Sequence, residues 1–336
     1  MFFFSKKTTI AASGVLQGAT DHHSHILPGV DDGVETMDEA LRILATYEAA
    51  GIKTLWLTPH IMEDIPNTPQ KLEARFLELK AAYTGNITLH LAAEYMIDNH
   101  LRKLLQETDK LRPAFEGVVL PEAFQETPPR FRGEVVEDRR GEKSPKEYPF
   151  GTTEGSKTKN CPSFKRGTSN TGNIAQEVQD NNNSPSSKRE YPQGEGVEKK
   201  SIAEGVELLP IGSKGNHLLV ETSYYNPPMR FRETLRQIKS LGYHPLLAHP
   251  ERYMYMDNDE YRELHDEGVR FQLNLPSLCG AYGNTVKKRA QWLLKNGLYD
   301  AIGSDTHCEE GAEFLLERKF DKQTIEQVEH LLHNSI

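Results

Sequence analysis

His23 and His25 flank Ser24 near the N-terminus, and Asp305 and His307 flank Thr306 near the C-terminus. A His-x-His pair on a β-strand turns both imidazoles to one face, because strand side chains alternate with period two. One metal ion can then bridge them. Alone, such a pair is weak evidence, since two hydrogen-bonded or surface histidines look the same in sequence. Further metal-type residues recur along the chain: Asp31 and Asp32 before Gly33, His60 after Thr58-Pro59, then Glu94, Glu221, and His249 before Pro250.

These residues need elements to carry them. Strand-like runs near residues 20–27, 53–60, 87–95, 217–224, 244–250, 270–276 and 299–305 alternate with amphipathic helical segments, the pattern of βα units around a parallel sheet. Thr36 with Glu39 predicts a capping box and Gly51 a stop for one helix, and Thr68 before Pro69 starts the next. Later helices are expected near 229–241, 257–267 and 285–296, ended by Gly242, Gly268 and Gly297, with one or two closing helices near 311–333. On these strands almost every metal-type residue falls at a C-terminal end, where the active sites of α/β barrels sit. Each residue alone has a structural explanation, such as a turn for Asp32 or a satisfied core histidine for His249. Together, five histidines (His23, His25, His60, His249, His307) and four carboxylates (Asp32, Glu94, Glu221, Asp305) exceed what one ion needs. They predict two or three divalent ions with bridging carboxylates. With no cysteine in the set, Mn, Fe or Zn suits it better than a thiolate-bound structural zinc.

Between residues 112 and 206 the hydrophobic periodicity disappears, and Gly, Pro, Ser, Asn, Lys and Glu dominate, as in Asn181-Asn182-Asn183-Ser184-Pro185. Such a segment cannot bury enough apolar area to offset its ordering entropy, so a mostly disordered insertion is expected, with at most a stray strand near Phe115 to Leu120. Residues 1–111 and 207–336 are then expected to form a single domain of about 240 residues, a fitting length for an α/β barrel.

The motifs Asp21-His22-His23-Ser24-His25-Ile26-Leu27-Pro28-Gly29-Val30-Asp31-Asp32-Gly33, Thr58-Pro59-His60, Ala248-His249-Pro250-Glu251-Arg252-Tyr253 and Ser304-Asp305-Thr306-His307 resemble the PHP superfamily. The closer resemblance is to its CpsB/CapC family, the manganese-dependent protein-tyrosine phosphatases of capsular and exopolysaccharide loci. The resemblance spans the chain outside the insertion and implies a distorted seven-unit (β/α) barrel of PHP type with a trinuclear site. By motif, the first metal would take His23, His25, Glu94 and Asp305. The second would share Glu94 and add Glu221 and His249, and the third would take Asp32, His60 and His307. Clustered divalent ions, manganese above all, would hold a phosphate monoester and lower the pKa of a bridging water, whose hydroxide attacks phosphorus without a phosphoenzyme. Arg252 is the expected bidentate phosphate clamp. The implied substrate is a phosphotyrosine protein, the tyrosine-rich tail of a polysaccharide-assembly kinase. The competing functions are a small-molecule phosphatase of histidinol-phosphate type and a catalytically impaired metal-binding interaction protein.

One stretch departs from the family pattern. A second basic residue is expected soon after Asp-x-His, yet Cys308-Glu309-Glu310-Gly311-Ala312-Glu313 follows, so Lys214, Arg230 or Arg318 is the expected substitute unless phosphate binding is weaker. Asn274 is expected to line the pocket, and Asp21 to orient a ligand histidine from behind.

Composition narrows the function classes. The 336 residues carry a net charge of −9, without the basic surplus that nucleic-acid binding shows. Three scattered cysteines, Cys161, Cys279 and Cys308, form no CxxC unit, suggest a reducing compartment, and lack the Arg six residues on that a cysteine-dependent phosphatase loop needs. The start has no secretory pattern and no run approaches the roughly 18 apolar residues of a membrane span, so a cytoplasmic protein that is not membrane-embedded is expected.

Overall fold

A computed structural model describes residues 7–111, 208–333 and 336. The expected insertion, its stray strand and Cys161 lie outside the described residues.

Seven strand regions form where alternation predicts them, and two of them are broken. The first is β2 (Thr20–Ser24). The second divides into β3 (Thr54–Leu57) and β4 (His60–Ile61), and the third into β5 (Thr88–Leu91) and β6 (Glu94–Met96). The remainder are β7 (His217–Glu221), β8 (His244–Ala248), β9 (Arg270–Asn274) and β10 (Ala301–Gly303). A small antiparallel ribbon joins β1 (Thr8–Thr9) to β11 (Lys319–Phe320). The fold is mixed α/β with two parallel sheets, one ordered β2-β3-β5 and one ordered β10-β9-β8-β7-β6-β4.

The breaks are where the chain changes sheets. Thr58-Pro59 separates β3 from β4, and Pro59 has no N–H to continue a ladder. Its carbonyl instead accepts from Glu94 N–H at 3.1 Å. Ala92-Ala93 separates β5 from β6: Ala92 still donates to Leu57, while Ala93 turns to Leu209. At the other margin, a parallel bridge joins Ser24 to Thr306, flanked by Asp305 N–H to His23 O at 2.8 Å and His25 N–H to Thr306 O at 2.9 Å. Strand interiors read Leu-Leu-Val and Leu-Leu-Ala in β7 and β8 and are buried on both faces, as helix-covered parallel sheets require.

Helices form at Met37–Ala50, Pro69–Ala82, Phe231–Ser240, Asn258–Asp266 and Asn284–Lys295, with Glu309–Leu316 and Lys322–His333 closing the chain. Thr36 caps its helix by accepting from Glu39 N–H at 3.3 Å, but the reciprocal half of the expected box is missing. The Glu39 carboxylate accepts instead from Glu309 N–H, at the start of another helix. Among the described residues no helix is long and apolar enough to cross a membrane.

Candidate metal centre

All nine metal-type residues converge on one face. His23 is the penultimate residue of β2 and His25 follows that strand; His60 and Glu94 open the short strands β4 and β6 and are paired in register; Glu221 ends β7, His249 follows β8, and Asp305 and His307 follow β10. A small pocket lies among them, lined by His60, Glu94, Glu221, Tyr224, His249, Arg252, Asp305 and His307. Eight of the nine side chains are buried, Asp32 being the partly exposed one.

The chain holds two of these residues in backbone conformations that non-glycine residues rarely adopt. His249 has φ 34° and Asp305 φ 52°, both in the left-handed region. Gly33 shows how closely the first loop packs. A Cβ there would lie 2.2 Å from His25 O, so a side chain would push the loop away from the His-x-His pair.

Hydrogen bonds behind the ring nitrogens decide which atoms face the pocket. His23 Nδ1 lies 2.8 Å from Gln272 Oε1, His25 Nδ1 2.7 Å from Asp31 Oδ2, and His307 Nδ1 2.8 Å from the Asp305 carbonyl. Each partner is an acceptor, so each Nδ1 carries the proton and Nε2 is the ligand atom. The Nε2 atoms of His23 and His25 then face one another at 3.1 Å, an arrangement that needs a positive charge beside it. Burial and His60 oppose charging His25, yet Asp31 and Glu94 outweigh them and hold its imidazole up to about 10, so its Nε2 carries a proton that an ion would have to displace. Burial pushes His249 and His307 down to about 4, keeping them neutral donors.

Glu94 sits at the middle. Its Oε2 is 3.3 Å from Nε2 of His23 and of His25 and 3.1 Å from His60 Nδ1, while Oε1 is 3.2 Å from His249 Nε2. Neither oxygen receives a well-formed hydrogen bond, although both are buried. Burial opposes ionisation of Glu94, and His23 and His60 overcome it, holding the carboxyl well below its ordinary value. A buried anion surrounded by ligand nitrogens and lacking donors fits cation binding, with one oxygen turned toward each side of the cluster. Among the described residues, four groups have ligand atoms close enough to share an ion: His25-Asp32-His60-His307, His23-Glu94-His249, His23-His25-Asp305 and His60-Glu94-Glu221.

The Asp305 oxygens divide differently. Oδ1 faces Nε2 of His23 and His25 at 3.5 and 3.6 Å, while Oδ2 accepts from Arg252 Nη1 at 3.1 Å and Asn274 Nδ2 at 2.8 Å. Arg252 is buried, with its guanidinium Cζ 4.3 Å from the ring centroids of both Tyr224 and Tyr282.

Several expectations change. Asp21 braces backbone rather than an imidazole: its Oδ1 accepts from His23 N–H at 3.2 Å and Ser304 N–H at 2.9 Å, tying β2 to the end of β10. Asn274 is fully buried and stands behind Asp305 instead of lining the pocket. The expected substitutes for the second cation lie elsewhere. Arg230 is exposed beside Glu233, Arg318 stacks on Phe314, and Lys214 sits in the turn before β7, which leaves Arg252 as the cation lining the pocket among the described residues. Cys279 is a free thiol pushed up to about 11 by burial, unsuited to thiolate catalysis. Gln272, Tyr224 and Tyr282 were not expected. Only Gln272 had a readable signal, two residues before Asn274 on one strand face.

The family profile described as "Capsular polysaccharide synthesis, CpsB/CapC" matches residues 19–129 and 197–330. The putative tyrosine-protein phosphatase CapC of Staphylococcus aureus is 28% identical over 146 residues, 42% of this chain and 54% of that protein. The tyrosine-protein phosphatase CpsB of Streptococcus pneumoniae is 32% identical over 120 residues, 34% of this chain and 46% of that protein. The chain thus spans about half the length of the curated relatives it matches. In three dimensions it is similar to a chain from the crystal structures of YwqE from Bacillus subtilis and CpsB from Streptococcus pneumoniae, described as unique metal-dependent tyrosine phosphatases. The TM-score is 0.52 at 16% identity, over 93% of each chain, a likeness of fold.

Proposed function

The chain belongs to the CpsB/CapC family, and from that premise we propose that it is a metal-dependent protein-tyrosine phosphatase. The observation that carries this reading is Glu94, a buried carboxylate with no well-formed hydrogen bond and four imidazole nitrogens within 3.3 Å. In this reading His23, His25, Glu94 and Asp305 hold a first ion, Glu94, Glu221 and His249 a second, and Asp32, His60 and His307 a third, with manganese the preferred metal. The ions would supply positive charge for a phosphate dianion and acidity for a water. Arg252 supplies the protein's own cation: with Nη1 engaged by Asp305, the rest of its fork is the phosphate clamp. The Nδ1–H groups of His23, His25 and His307 keep donating to Gln272 Oε1, Asp31 Oδ2 and the Asp305 carbonyl, which keeps those ring orientations constant through turnover.

The parallel sheets, with the Ser24 to Thr306 bridge between β2 and the end of β10, are read as one distorted seven-unit barrel opened at Pro59 and Ala93. Residues 1–111 and 207–336 form that unit, and 112–206 is an insertion. The proposed substrate is a phosphotyrosine protein, a polysaccharide-assembly tyrosine kinase tail, met in the cytoplasm. The test is release of phosphate from a phosphotyrosine peptide and from histidinol phosphate during manganese titration. Peptide turnover that needs the metal and stops on chelation is expected; full activity in metal-free protein, or preference for histidinol phosphate, overturns the proposal.

A further inference from the structure

Arg252 reaches the pocket from the short 3-10 turn Pro250–Arg252, and a long side chain there would have freedom to swing. Its surroundings remove that freedom. The guanidinium lies between two aromatic rings, each with its centroid 4.3 Å from Cζ: Tyr224, from the loop after β7, and Tyr282, from the turn between the Leu275–Cys279 and Asn284–Lys295 helices. Rings at that distance attract the cation through their π faces and hold its plane. Tyr282 also has a second connection. Its hydroxyl accepts from Asn274 Nδ2 at 3.3 Å, and the same amide donates to Asp305 Oδ2 at 2.8 Å, the oxygen that Arg252 Nη1 also engages. Tyr282 thus meets Arg252 directly and reaches its ion-pair partner Asp305 through Asn274.

The turn that delivers Tyr282 is shaped for the purpose. Gly280 and Gly283 bracket it with φ 84° and 91°, a reversal that L side chains resist. The Asn274 backbone N–H is held in turn by buried Glu251 Oε1 at 3.0 Å, and Glu251 Oε2 accepts from Tyr299. Asn274 therefore has little room to move on its own.

We infer that Tyr282 is a positioning residue for phosphate binding, setting the guanidinium plane of Arg252 with its ring and bracing Asp305 through Asn274 with its hydroxyl. The inference rests on the proposed phosphatase reading, in which Arg252 clamps phosphate. Tyr282 touches no reacting atom and acts through Arg252.

The experiment uses the full chain loaded with manganese. Inorganic phosphate binding is measured by calorimetry, phosphotyrosine-peptide kinetics in parallel, and metal content and thermal midpoint for every variant. Tyr282→Leu is expected to weaken phosphate binding and raise KM about five- to tenfold, with a smaller fall in kcat and unchanged metal content. Tyr282→Phe, which keeps the ring, is expected to restore binding to within about twofold of the parent. In an Arg252→Lys background, Tyr282→Leu should add little, because the flat cation it holds is gone. Equal loss in both backgrounds, loss of metal in Tyr282→Leu, or failure of Phe to rescue overturns the inference. If the parent binds phosphate with this pattern yet hydrolyses no phosphomonoester, the positioning role stands and the phosphatase reading falls.

Discussion

The strands β7 and β8 begin with histidines, and Glu221 ends the first while His249 follows the second, yet the two ends differ in kind. At the starts, His217 and His244 are paired in register with ring centroids 5.3 Å apart, and His22 lies near enough to influence His217. At the ends, Glu221 and His249 join the pocket. Among the described residues no carboxylate acts on the lower histidines: burial pushes His22 and His217 down to about 4 and lowers His244, with neighbouring cations adding to the effect on His217 and His244. At the upper ends Glu94 has His23, His25, His60 and His249 within 3.3 Å, and the Nδ1 protons of His23, His25 and His307 are held from behind. Clustered imidazoles alone therefore do not mark a candidate metal centre; a shared buried carboxylate and fixed tautomers do. Among the described residues, every group able to hold an ion is at the upper end.

The sharpest break of that contrast is Glu94→Gln, which keeps shape and removes the anion. Metal affinity is expected to fall more than about 100-fold, exceeding the usual cost of losing an outer partner, and turnover should go with it. His217→Asn should leave bound metal, counted by mass spectrometry, unchanged. Next in size is the difference between the two backing acceptors. Asp31→Asn removes a charge behind His25 and is expected to cost about 10- to 100-fold in metal affinity, whereas Gln272→Ala, losing a neutral acceptor behind His23, should sit at or below the lower bound. Equal losses would show that charge behind the ring is immaterial.

A smaller effect belongs to the lower cluster. His217 has an ordinary value of 6.5 and is held at about 4 when folded. Between those values the unfolded chain binds a proton that the folded one refuses, so the stability it contributes is full above about pH 6.5 and drains as pH falls toward 4. Allowing for its residual solvent contact, about 1–2 kcal/mol is at stake. Thermal midpoints across that range should decline less steeply in His217→Asn than in the parent. Smallest of all, Thr36→Ala should cost about 1 kcal/mol of stability through the lost cap, with metal content untouched.

Much of this centre was legible from sequence because parallel α/β strands bring their C-terminal ends together, so placing nine metal-type residues required only strand positions. The partners behind them were not legible for a different reason. Gln272, Tyr224 and Tyr282 have side chains that serve many roles, and only contact with His23 or Arg252 distinguishes them. Asp31 and Asp32 are neighbours whose roles separate in three dimensions: Asp31 holds His25 and the His60 N–H, while Asp32 faces His60 Nε2. The division of two strands at Pro59 and Ala93 depends on a change of pairing partner, which alternation does not encode. Thr36 illustrates the limit in a helix: the cap was readable, whereas the destination of Glu39 depended on a residue 270 positions away.

His249 and Asp305, held at positive φ, carry a consequence for ion choice. Their backbones occupy conformations maintained by the surrounding fold, so the distances between proposed ligand atoms are set before any ion arrives. A cage assembled in advance contracts poorly around a small ion and stretches poorly around a large one. Discrimination among divalent metals would then follow ionic radius.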